Sequence, residues 1–138
     1  MMRKMTTGHF ERNGLLLVAC FCFFISWYLP SPLIHGVNTQ FTTHLIGGGM
    51  FSGLLWLYIQ KQLHWDASWL HELMTVFALV SSLGVLNELF ELATVEAHLA
   101  RLSGADTWWD LLANTFGAFL VWSLYRLFGL LKTKTSLK

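Results

Sequence analysis

Four stretches of this chain, residues 13–29, 43–59, 70–93 and 108–131, are apolar with few interruptions, and the polar residues gather at their ends. A helix rises 1.5 Å per residue, so about 20 apolar residues cross the hydrocarbon core of a bilayer. The pattern therefore predicts an all-α, polytopic membrane bundle of about four transmembrane helices, forming one domain over residues 1–138. The first two stretches are short and call for tilt or local thinning of the bilayer. Pro30 and Pro32 end the first helix, since proline cannot continue a helix and restricts the residue before it. Residues 30–42 then read as an uncharged loop.

Charge orients the helices. Arg3, Lys4 and Arg12 precede the first stretch, Lys61 follows the second, and Arg126, Lys132, Lys134 and Lys138 close the chain. Basic residues accumulate on the cytoplasmic side, which predicts a multi-pass protein of the cell membrane with both termini in the cytoplasm. The opposite side receives the loops 30–42 and 94–107, with Arg101 as their one basic residue. Trp27 and Tyr28, Trp65 and Trp69, and Trp108 and Trp109 fall near stretch ends, where an interfacial aromatic belt belongs. The run Leu17-Val18-Ala19-Cys20 has the look of a lipoprotein cleavage box, but only residues 14–19 would form its apolar region and the run continues to Trp27. The first stretch is accordingly expected to be an uncleaved span.

Composition agrees with this picture. At 54% hydrophobic and 12% charged the chain is too apolar for an ordinary soluble domain. A net charge of +1 without a basic stripe implies no nucleic-acid partner and leaves membrane lipids as the expected surroundings. Cys20 and Cys22, inside an apolar run, read as packing residues.

Small residues supply close-packing faces. Gly49 and Gly53 form G-x-x-x-G after Gly47 and Gly48, and Ala113 and Gly117 repeat the spacing. A second copy of the chain or another membrane chain could dock on these faces. A phosphate-cradling loop is the weaker reading, because no strand precedes the glycines and no lysine follows them. His44 with Gly47 and Asn114 with Gly117 hint at an internal repeat.

The main chemical signal lies between Asn87 and Gly117. Glu88, Glu91, Glu96, His98, Arg101, Asp106, Asp110 and Asn114 cluster there, at the ends of two membrane-length stretches. A charge in the hydrocarbon costs roughly 2.5–3.5 kcal/mol on the lenient insertion scale, so such groups mark a site or a paired network. Glu88 and Glu91 share a helical face at i, i+3, and Asp110, Asn114 and Gly117 share one at i, i+4 and i+7. His44 opens the second stretch from the same outer side. His44, Glu88, Glu91, Arg101, Asp110 and Asn114 are thus the expected binding residues near one membrane boundary.

Several chemistries fit this set. Glu88 or Asp110 could act as a catalytic acid or base. His44, Glu88, Glu91 and Asp110 could hold a divalent metal, the one cofactor the donors suggest. The carboxylates and Asn114 could bind a cation or a lipid head group. Alternatively, Glu88 and Glu91 bond to Arg101, Thr94, Thr107 and Asn114, and the cluster only closes the outer end of the bundle. Asp106 and Thr107 equally suit a helix cap. His64, His71 and Glu72 read as a solvated interfacial cluster on the cytoplasmic side. No H-E-x-x-H, C-x-x-C or G-x-S-x-G is present to decide the reaction class.

The run from Glu88 and Glu91 through Arg101 to Asp110-Leu-Leu-Ala-Asn114-Thr-Phe-Gly117, with His44 opening an earlier helix, resembles the VanZ-like superfamily of small integral membrane proteins. That family's pattern is an acid late in one helix, an arginine in the next loop, then D-x-x-x-N-x-x-G entering the last helix. The resemblance covers roughly residues 40–120. It implies a bundle of four or five helices with a polar site at its outer end. Glu91 stands where many members carry Gln, and Gln40 and Phe41 stand where many carry Asp-Lys, so the likeness is to a divergent inner-membrane branch. The first expectation is a pocket for an envelope lipid's polar group or a cation. A membrane-embedded, metal-dependent enzyme acting on a lipid or lipid-linked phosphate, and a structural or assembly subunit, are the alternatives.

Overall fold

The computed structural model describes residues 3–34, 37–97 and 107–135. Among them four helices dominate: α1, Arg3–Ser26; α2, residues 41–63; α3, Trp69–Glu96; and α4, Thr107–Thr135. Between α1 and α2 runs a short antiparallel ribbon, β1 (Leu33–Ile34) and β2 (Val37–Asn38), with Leu33 opposite Asn38 and Ile34 opposite Val37. The loop of residues 30–42 is thus folded back on itself, and Thr39 ties it down through its hydroxyl and amide to the Pro32 carbonyl at 3.0 and 3.2 Å. α1 stops at Ser26, before Pro30, with Tyr28 N–H bonding the Ile25 carbonyl at 3.0 Å.

α2 is not uniform. A turn of α-helix, Phe41–Thr43, widens into a π-helical segment, His44–Met50, and narrows again to α-helix over Phe51–Leu63. It starts from Gln40 at φ 50° and ends on His64 at φ 51°, both left-handed. α3 starts at Ser68, whose hydroxyl oxygen caps the N–H of His71.

Contacts between side chains set the helix directions. His44 meets Asp110 and Gly53 meets Val121, so α2 and α4 run parallel. Gln60 meets Glu72 and Gly84 lies against Leu111, so α3 runs antiparallel to both. Ser26 lies against Gly47 and Phe23 against Phe51, so α1 opposes α2. The chain goes up, down, up, down. Trp56, Leu57, Val76, Val80, Ala118 and Val121 form the core at mid-length.

Much of the outer surface is apolar. Among the described residues two helices are long and apolar enough to cross a membrane, Trp69–Glu96 and Trp109–Leu131, and only 17% and 28% of their most apolar windows are buried. Phe90, for example, is 68% exposed, and Leu86, Phe116 and Phe128, spread along α3 and α4, are exposed to similar degrees. A soluble protein rarely leaves so large a continuous apolar surface open to water.

Candidate functional site

The end of the bundle where α2 and α4 begin, the outer end of the expected topology, is built on the seam between these two helices. A Cβ added at Gly49 would run into the Asn114 carbonyl and lie 2.8 Å from the Gly117 Cα, and one at Gly117 would strike the Leu45 carbonyl. One at Gly53 would lie 2.8 Å from the Val121 Cβ. Only glycine permits this approach of two backbones. The two small-residue faces therefore meet each other inside the chain.

This seam also explains the π-helical segment. In an α-helix five residues turn through about 500°, which would place His44 roughly 140° away from the face carrying Gly49. The i→i+5 hydrogen bonding of a π segment brings residues five apart into phase instead. His44 and Gly49 consequently both face α4.

There His44 Nε2 lies 3.3 Å from Asp110 Oδ1, and the two residues are 8% and 3% exposed. One turn deeper, Asn114 is 6% exposed and its amide lies over Gly48, where any side chain would collide with it. Asn114 Oδ1 is buried and receives no hydrogen bond from the described residues. Buried polar atoms are rarely left so.

These groups stand beside a cavity of about 560 Å³, within the range usual for small-molecule sites. His44, Asn114, Asn87, Glu91, Thr43 and Ser26 supply polar lining. Phe23, Leu29, Val80, Leu83 and Leu86 supply an apolar wall. Asn87 Nδ2 donates to Glu91 Oε1 at 2.7 Å, holding that carboxylate in place across one helical turn.

Of the residues expected from the sequence, His44, Asp110 and Asn114 are thus brought together and buried, and Glu91 joins them across the cavity. Glu88 is half-buried and is not part of the cavity wall. Arg101, His98 and Asp106 lie outside the described residues, and Glu96 is exposed. Thr94 Oγ1 donates to the backbone carbonyl of Glu91 at 2.7 Å, not to a carboxylate. Among the described residues no group of three or more His, Cys, Asp or Glu is placed to hold a metal ion. Of the four side chains considered for a divalent metal, His44, Glu88, Glu91 and Asp110, the first and last are neighbours.

Sequence reasoning missed Val80 and Gly84 in the wall. With Asn87 and Glu91 they share a face at i, i+4, i+7 and i+11, the stripe of α3 that lines the cavity. That spacing was readable, but the more conspicuous pair Glu88 and Glu91 hid it. Ser31, Asn38 and Gln40 also reach the cavity, because the ribbon folds the first loop over its mouth.

A second correction concerns Glu72, expected among solvated groups with His64 and His71. His64 and His71 are exposed, but Glu72 is 4% exposed. Its Oε1 accepts from Gln60 Nε2 at 2.9 Å, and Arg126 Nη1 stands 3.4 Å from its Oε2. α2, α3 and α4 each contribute one member, so the carboxylate ties three helices together at the end of the bundle remote from the cavity.

No protein-family model, curated protein or solved structure is significantly similar to this chain.

Proposed function

We propose that this is a multi-pass membrane protein of VanZ-like type, whose four helices cross a cell membrane with both termini in the cytoplasm, and whose outer cavity binds the polar group of an envelope lipid or a cation. The observation that carries this reading is the cavity's two-sided lining. Buried His44 and Asn114 stand at one side of it, His44 backed by Asp110, and an apolar wall at the other. A polar head fits the first and an attached chain the second. The exposed apolar faces of α3 and α4 supply the reason for a bilayer around it.

The test is native mass spectrometry of the purified chain in a mild detergent. Co-purified lipid or cation is expected on wild type and is expected to be lost in Leu83→Trp, which fills the cavity from its apolar wall. Equal retention by both proteins refutes the site. The topology has its own check: a cysteine placed at Ser103 is expected to react with an impermeant reagent from outside the cell, and reaction only from the cytoplasm inverts the orientation.

The His44–Asp110 contact at 3.3 Å favours a second reading. A carboxylate that orients an imidazole beside a cavity is an arrangement used for general-base catalysis, here on a lipid or lipid-linked phosphate. His44→Asn is then expected to lower phosphate release from such a lipid by about 10²-fold or more, with lipid binding retained. Absence of any turnover by wild type removes this reading.

A further inference from the structure

The cavity's charge and hydrogen-bonding capacity narrow the ligand further. Among its described lining residues there is no lysine or arginine, and Glu91 contributes a carboxylate. The one imidazole, His44, already has Asp110 beside it. An anionic group would meet the acceptor oxygens of Glu91 and Asn114 and no lysine or arginine among the described lining residues. Asn114 Oδ1, nine-tenths buried and without a donor from the described residues, asks for an N–H or O–H from the ligand. Glu91 keeps acceptor capacity beyond its bond from Asn87, since a carboxylate offers about four lone-pair sites. A quaternary ammonium has no N–H and would leave Asn114 Oδ1 unsatisfied. On the other side the wall of Phe23, Leu29, Leu83 and Leu86 offers nothing to a hydrated ion but matches a hydrocarbon chain.

Resting on the binding reading above, we infer that the ligand carries a primary ammonium group joined to an apolar chain, the ammonium donating to Asn114 Oδ1 and the Glu91 carboxylate. Leu83 and its apolar neighbours hold the chain. The shared chemistry is the primary ammonium, borne either by a membrane lipid or by a free amine.

The test titrates the full chain, in a nonionic detergent, with dodecylamine, dodecyltrimethylammonium, dodecyl phosphate and ethanolamine, with binding read by native mass spectrometry. Dodecylamine is expected to bind saturably and the trimethyl analogue more weakly. Loss of a charge-assisted hydrogen bond in Glu91→Gln, which keeps an acceptor for Asn87, is expected to weaken dodecylamine by at least about tenfold. Asn114→Ala gives a second, independent loss. Ethanolamine binding as tightly assigns the site to free amines, and its failure beside dodecylamine assigns it to a lipid-borne group. Tighter binding of dodecyl phosphate or of the trimethyl analogue, abolished by Leu83→Trp, overturns the ammonium inference and leaves the pocket standing. Binding of every probe unchanged in Leu83→Trp overturns the pocket as well.

Discussion

The bundle buries an acidic group at each end, and the two ends differ in how it is surrounded. At the end of the bundle where α2 finishes, the inner end of the expected topology, Glu72 is enclosed by Gln60 and Arg126 from two other helices, and the cavity does not reach it. At the other end His44, backed by Asp110, and Asn114 stand beside open volume, with Asn114 Oδ1 awaiting a donor. Burial of a charge therefore does not by itself mark a site. A carboxylate held between a hydrogen bond from one helix and an arginine from another joins helices, whereas a buried polar atom facing a cavity is equipped for a ligand. Between the two ends, the glycine seam and the apolar core hold the helices in register.

Variants can break this contrast in order of expected effect. Gly117→Leu strikes the scaffold that both ends share, because its side chain meets the backbone of Leu45, Met50 and Gly49. It is expected to cost more than about 3 kcal/mol and to abolish the monodisperse peak in size-exclusion chromatography. Normal elution and an unchanged melting temperature would show the seam to be loose.

Glu72→Leu comes next and acts on the inner end alone. It leaves the Gln60 amide without its partner, and Arg126, with its side chain 41% exposed, can turn to solvent. A loss of about 1–3 kcal/mol is expected, measured as a lower melting temperature, with ligand occupancy at the outer end unchanged. Occupancy falling with stability would mean that the two ends are one unit.

Asn114→Ala reverses that outcome. An amide oxygen with no partner contributes little to folding, so stability is expected to stay within about 1 kcal/mol of wild type while ligand is lost. A large drop in melting temperature would make Asn114 a packing residue and move the outer end into the same class as the inner one. Ser68→Ala is the smallest change: it removes the cap of α3, far from the cavity, and is expected to cost about 0.5–1 kcal/mol without altering occupancy.

Much of this was legible in the one-dimensional pattern. Runs of apolar residues broken by Pro30 and Pro32, by residues 64–68 and by the polar stretch after Ala93 announce helices, because backbone groups in an apolar setting must bond within their own segment. The i, i+4 and i+7 spacing of Asp110, Asn114 and Gly117 announces one shared face, and the three residues are buried together on α4. The paired small residues announce close approach, and Gly49 meets Gly117. These are local properties, set by helical period and side-chain size, and the amino-acid order determined them directly.

What could not be read is whatever depends on helix phase and on partners remote in the chain. An α-helical wheel turns His44 away from Gly49, and the π-helical segment returns it to Asp110. Glu72 looks solvated beside Trp69 and His71 until Gln60, 12 residues earlier, and Arg126 enclose it. The cavity itself is a remainder, the space left where α1, α3 and the loop ribbon do not fill the outer end of the α2–α4 seam. Composition and periodicity say which groups are available and on which face. Only the packed helices decide which of them close on each other and which are left facing a space that a ligand can fill.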